Sequence, residues 1–141
     1  MVFPREIIVG HKTIEQCAEL SNRICRGNNA LIVHDKDTKR IAGNKIVKIM
    51  NKSDFNVEEI VIRGAMVSQV TNVIKAAKAN TSDIILGVGG GSVIDVSKMA
   101  SHEIGSSFVS IPTCASHDGI ASPRASLKQR SGSVSKTASS P

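Results

Sequence analysis

Residues 83–100, DIILGVGGGSVIDVSKMA, constrain the fold more than any other part of the chain. Ile84-Ile85-Leu86 is a short apolar run of the kind that forms a strand covered on both faces. Gly87 and Gly89-Gly90-Gly91 follow, where the backbone turns tightly with no Cβ in the way. A helix pattern starts at once, with Val93, Ile94, Val96 and Met99 apolar and Ser92 and Asp95 spaced as N-cap and N3 of a capping box. Strand, glycine bend and helix N-terminus together make an anion site. The first-turn amides lie outside the helix ladder, the dipole favours negative charge, and glycine admits a diphosphate close to the backbone. The competing reading is a tight strand-to-helix turn that binds nothing. The spacing fits neither the usual G-x-G-x-x-G setting nor the P-loop, but the flanking strand and helix favour phosphate. Asp95 suits a bare phosphate poorly, because its carboxylate competes for the same amides. Orienting a sugar hydroxyl or a nicotinamide amide suits it better.

A chain of 141 residues is one domain with room for one core. Three Phe and no Trp or Tyr leave that core to Ile, Val, Leu, Met and Ala. The same scarcity argues against a single-strand nucleic-acid platform, which needs stacking rings. Net charge is +6, and Arg124, Lys128, Arg130 and Lys136 lie in residues 119–141 with no acidic residue among them. A solvated loop is the first reading of that run, and a face toward a phosphorylated small molecule the second. Cys17, Cys25 and Cys114 show no C-x-x-C spacing, which fits a reducing compartment. The N-terminus lacks the apolar core of a signal peptide, and no apolar run approaches membrane-spanning length. The expectation is a cytoplasmic protein with no nucleic-acid partner and no membrane insertion.

Along the chain, strands are expected at 6–9, 30–33, 60–62, 84–86 and 108–111. Helices are expected at 13–26 (capped by Thr13), at 37–50 (weakened by Gly43), at 68–79, and after the glycine bend. This alternation predicts the α/β class: a Rossmann-like parallel sheet with helices on both faces. Its ligands sit beyond the carboxyl ends of the strands, so loops 34–37, 63–67, 87–92 and 112–123 should share one rim. After Ile111 the path turns irregular, and 125–129 with 133–136 around Ser131-Gly132 fit a hairpin. The expected division is a dinucleotide-binding domain over 1–123, then over 124–141 a hairpin and a truncated connection. The chain stops in a Ser/Thr/Ala-rich run, as an interrupted protein would. His11, His34 and His102 are scattered and read as surface residues. His117 and Asp118 are adjacent, and neighbours rarely chelate one metal alone, so His117 reads as orienting its loop. Cys114 has no His and carboxylate in nucleophile order around it.

GVGGGSVIDVSKMAS at 87–101 and SIPTCASHDGIASPRASL at 110–127 carry a family signal. Together they resemble the archaeal sn-glycerol-1-phosphate dehydrogenases. These belong with glycerol dehydrogenase, the iron-containing alcohol dehydrogenases and 3-dehydroquinate synthase. The GGGS-x-x-D-x-x-K core is common to that superfamily, whereas S-H-D-G-I-A-S-P points to the glycerol-1-phosphate branch.

The resemblance implies NAD or NADP as cofactor, with Gly91, Ser92, Val93, Ile94 and Asp95 lining its diphosphate and nicotinamide-ribose region. Thr113, Cys114, Ala115 and Ser116 would form the next cofactor loop, with Ser122 a further contact and Asp118 holding the substrate. Asp35, ending the second strand, stands where an acidic residue meets the adenine ribose, and Lys36 beside it tolerates a 2′-phosphate. The family's zinc ligands, one Asp and two His, would lie beyond residue 141, in a helical C-terminal domain absent here. The implied reaction is reduction of dihydroxyacetone phosphate for archaeal phospholipid synthesis, by a homo-oligomer when full length. The portion in hand would supply no catalytic group or metal ligand and would be inactive and prone to associate alone. Two alternatives are a glycerol dehydrogenase acting on an unphosphorylated polyol and a stand-alone nucleotide-binding module.

Overall fold

The computed structural model describes residues 6–8 and 11–113. Strand β1 is Glu6–Ile8, and a 3-10 turn over His11–Gln16 leads into helix α1, Cys17–Ile24. Strand β2, Asn29–His34, is followed by a short helix α2, Lys36–Thr38. A π-helical turn, Lys39–Gly43, joins α2 to α3, Asn44–Lys52. Then come β3, Asn56–Val61; α4, Val67–Asn80; β4, Ile84–Gly89; α5, Gly91–Ile104; and β5, Ser107–Pro112. The five strands form one sheet in the order β1-β5-β4-β2-β3, with every neighbouring pair parallel. The α/β class expected from the alternating pattern is what the chain adopts.

Strand geometry sorts the core into two layers. Successive side chains alternate across the sheet, so Ala30 and Ile32 of β2 join Ile84, Leu86, Val109 and Ile111 on one face. There they meet Cys17 and Ala18 of α1 and Ile46 and Met50 of α3. Leu31 and Val33 point the other way, to Ile85 and Phe108, and pack on Val73 and Ala77 of α4 and Val93, Val96 and Ala100 of α5. Every residue of β4 is buried, as a central strand covered twice requires. Gly87 brings α5 close to that strand, since a Cβ there would stand 2.8 Å from Ser97 Oγ.

Several expectations need correction. Thr13 does not start α1; residues 11–16 take a 3-10 turn, and the α-helix begins at Cys17, where Cys17 and Ala18 enter the core. The second helix runs from Lys36 to Lys52 and widens at Lys39–Gly43. The widening lies where Gly43 meets the His34 ring, because a Cβ on Gly43 would sit 2.7 Å from His34 Cδ2. His34 is therefore a fully buried residue of the strand and not a surface one. Ser92 and Asp95 do not form a capping box. Gly90 takes extended backbone as the N-cap, so α5 starts at Gly91, with Ser92 in its first turn and Asp95 buried in its second.

No helix among the described residues is long and apolar enough to cross a membrane. The boundary expected near residue 123 and the 125–136 hairpin lie outside the described residues.

Candidate cofactor site

The sheet order creates a crevice. From β2 the chain moves outward to β3, while from β4 it moves the opposite way to β5. The connections that leave the carboxyl ends of the neighbours β2 and β4 therefore diverge, and ligands of such sheets lie at that switch point.

One wall is the glycine bend. Gly89 has φ +156°, and a Cβ on it would stand 2.9 Å from Val93 Cγ2 and 3.2 Å from Thr38 Oγ1. Gly90 is different: among the described residues a Cβ there meets nothing within 4 Å, which leaves open space in front of the bend. The helix ladder begins with the Ile94 amide donating to the Gly90 carbonyl at 3.0 Å. The amides of Gly91, Ser92 and Val93 precede it, at the positive end of the helix dipole. Val93 and Ile94 bury their side chains in the α4–α5 core, so what they bring to the bend is main chain.

The opposite wall is the turn after β2. The Asp35 carboxylate accepts the Thr38 amide at 2.8 Å and the Thr38 hydroxyl at 3.0 Å, a reciprocal cap in which Thr38 Oγ1 also accepts the Asp35 amide at 3.0 Å. Both close contacts use Oδ1, which leaves Oδ2 without a partner among the described residues. Thr38 is buried between this cap and Gly89. Neither Thr38 nor its role was anticipated, although D-x-x-T ahead of a helix is a readable cap signature.

Beneath that turn lies a polar chain. His34 Nε2 is 3.0 Å from Glu59 Oε1, and Lys39 Nζ is 3.3 Å from the same oxygen. An ionised carboxylate only accepts, so Nε2 carries the proton, and His34 Nδ1 is left buried with no partner among the described residues. Burial pushes the Glu59 carboxyl up, but hydrogen bonds from His34 and Lys39 and the Lys39 charge outweigh it and hold it below its ordinary value. Nothing in the local sequence marks Glu59; only the register, which sets it beside Ile32, brings it there.

The third side is the end of β5. Thr113 donates its amide to the Gly89 carbonyl at 3.1 Å, and its Oγ1 is buried without a partner among the described residues. Of the residues expected at the site, the structure thus gathers Gly91, Ser92, Val93, Ile94, Asp95 and Thr113 around one bend, with Asp35 opposite. Cys114, Ala115, Ser116, Asp118 and Ser122 lie outside the described residues. Among the described residues no group of three His, Cys, Asp or Glu is arranged to hold a metal ion.

Residues 8–141 match the family described as iron-containing alcohol dehydrogenase. The chain belongs to that family. Two curated relatives are similar to it at 42% identity, and both are glycerol-1-phosphate dehydrogenases [NAD(P)+]. The protein from Methanosphaera stadtmanae aligns over 99% of this chain and 39% of its own length, that from Pyrococcus horikoshii over 91% and 37%. The chain thus spans about two fifths of the length of these relatives. Among solved structures, a probable glycerol dehydrogenase from Sinorhizobium meliloti is 25% identical, with a TM-score of 0.62 over 81% of this chain and 29% of its own. Glycerol dehydrogenase from Schizosaccharomyces pombe, at 20% identity, shares the fold with a TM-score of 0.67 over 82% of this chain and 32% of its own.

Proposed function

We propose that this chain is the cofactor-binding portion of an NAD(P)-dependent sn-glycerol-1-phosphate dehydrogenase, which reduces dihydroxyacetone phosphate to sn-glycerol 1-phosphate. The observation that carries this reading is the pairing of Thr113 with Gly89 beside the open space at Gly90. An unused buried hydroxyl, first-turn amides and room for a ligand meet at one point, and a dinucleotide supplies what they lack. The 42% identity to curated enzymes of that activity favours this member of the family over a polyol dehydrogenase.

The residues fit the cofactor in stated roles. The amides of Gly91, Ser92 and Val93 would hold the diphosphate, Thr113 Oγ1 would hydrogen-bond the cofactor beside it, and Asp35 Oδ2 would accept from the adenine ribose. The bound nicotinamide supplies the hydride. The bend keeps side chains away from the diphosphate, and the Asp35–Thr38 cap fixes how far the ribose corner stands from it. The described residues do not fit a metal centre, so no step here passes through one. Substrate binding by Asp118, and cofactor contacts from Cys114, Ala115, Ser116 and Ser122, belong to this proposal on the strength of their motif.

Titration of the purified chain with NADH, read by nicotinamide fluorescence, tests the reading. Saturable binding with no turnover of dihydroxyacetone phosphate is expected from this portion, and absence of binding would overturn it. In a longer form carrying the remaining three fifths, faster turnover of glycerol 1-phosphate than of glycerol is expected; the reverse order would assign a polyol substrate.

A further inference from the structure

Three cations follow Asp35 within five residues, and the structure occupies two of them. Arg40 pairs with Asp37 at 3.2 Å, and Lys39 pairs with Glu59 at 3.3 Å. Lys39 stands one helical turn beyond Asp35, its amide donating to the Asp35 carbonyl at 2.9 Å, so both stand at the N-terminal face of the second helix. On the cofactor reading, which this inference rests on, that face carries the adenine ribose. There NAD presents a 2′-hydroxyl and NADP a 2′-phosphate. A carboxylate accepts from the hydroxyl and repels the phosphate, while a lysine attracts the phosphate.

We propose that Glu59 is a coenzyme-selectivity residue: by holding the Lys39 ammonium at the β3 side, it withholds that charge from a 2′-phosphate at Asp35 and biases the site toward the unphosphorylated dinucleotide. Glu59 acts through Lys39 and is a positioning residue. Its own position is fixed from behind, since His34 is fully buried, wedged against Gly43, and 3.0 Å from the same carboxylate oxygen. The pair is only partly exposed, with Lys39 at 42% and Glu59 at 31%, so solvent weakens it without dissolving it.

The test compares NADH and NADPH affinities of the purified chain by fluorescence titration. Glu59→Gln keeps the side-chain shape and an oxygen for His34 while removing the charge. The affinity ratio of NADPH to NADH is expected to rise about twofold to fivefold, the range of one partly screened charge pair. Adding Lys39→Met to that variant should return the ratio to the wild-type value. A merely structural role would weaken both coenzymes together and leave the ratio unmoved, which would overturn the proposal. Should Glu59→Gln not fold, Lys39→Met alone decides: an unchanged ratio supports a sequestered lysine, and a large loss of NADPH binding overturns it. Wild-type chain that binds neither coenzyme would sink the cofactor reading itself, an outcome distinct from an unmoved ratio.

Discussion

Thr38 Oγ1 lies 3.2 Å from where a Cβ on Gly89 would stand, which puts the cap of α2 in direct contact with the glycine bend. The turn after β2 and the turn after β4 are therefore one packed unit. On the proposed reading, the spacing between the ribose corner and the diphosphate bend is therefore set by this contact.

This contact separates two neighbouring glycines. In Gly89→Ala the methyl meets Val93 and Thr38 at a φ that L-residues rarely adopt, and a loss of about 1–3 kcal/mol is expected. Gly90 has φ −85° and open space ahead. Gly90→Ala should leave the urea midpoint unchanged or slightly raised, yet weaken NADH by about tenfold, because the methyl would take the place proposed for the diphosphate. Denaturation and fluorescence titration of both variants check the contrast. Equal NADH affinity in Gly90→Ala and wild type would remove the diphosphate from this bend.

The cap itself is a second target. Asp35→Ala removes the acceptor for the Thr38 amide and hydroxyl, and a cost of about 1 kcal/mol is expected. Thr38→Val keeps the volume against Gly89 but leaves the Asp35 amide without its acceptor, again about 1 kcal/mol. The two residues form one reciprocal cap, so the double variant should lose less than the sum of the singles. Urea unfolding of the four proteins measures this.

What the sequence disclosed and what it withheld divide along a physical line. Strands such as 84–89 and 107–112 announce themselves, because central parallel strands are apolar on both faces. The glycine bend was equally legible, and Gly87 and Gly89 answer to close approaches, Gly89 also to an unusual φ. The start of α5 was not. Ser92 and Asp95 mimic a capping box, but Gly90 satisfies the N-cap conformation two residues earlier and leaves both inside the helix. His34 was misplaced for another reason. A histidine ending an apolar strand looks exposed until Gly43 and Glu59, nine and twenty-five positions away, are folded around its ring. Contacts made through sheet register carry no local signature, and Glu59 reaches His34 and Lys39 only through such a contact.

The cysteines give a prediction about chemistry. Burial pushes the Cys17 thiol up to about 11, and burial followed by the nearby Asp83 charge raises Cys25 as well. A thiolate is the reactive form, so native Cys17 should resist a disulfide reagent at pH 8 and react only when the chain unfolds in urea. The folded value lies above the unfolded one. Stability from Cys17 is therefore full below pH 9 and lost as pH rises toward 11, where the unfolded chain ionises first. Wild-type chain should show a falling urea midpoint across that interval. Rapid labelling of Cys17 under native conditions would contradict the packing of α1 on the sheet.

Glu59 produces the opposite limb. Its carboxyl is held below the ordinary value of 4.5 despite partial burial, because His34 and Lys39 favour the charged form. A lowered folded value means that the unfolded chain takes up the proton first. The contribution is present above about pH 4.5 and disappears as pH falls through the lower folded value. Urea midpoints measured between pH 6 and pH 3.5 should therefore decline less steeply in Glu59→Gln than in wild type, while the variant is the less stable of the two at pH 6. The same variant at neutral pH is expected to gain NADPH relative to NADH, so one substitution links the acid limb to coenzyme choice. A flattened acid limb with no change in coenzyme ratio would show that the carboxylate braces β2 against β3 and that Lys39 does not reach the ribose corner.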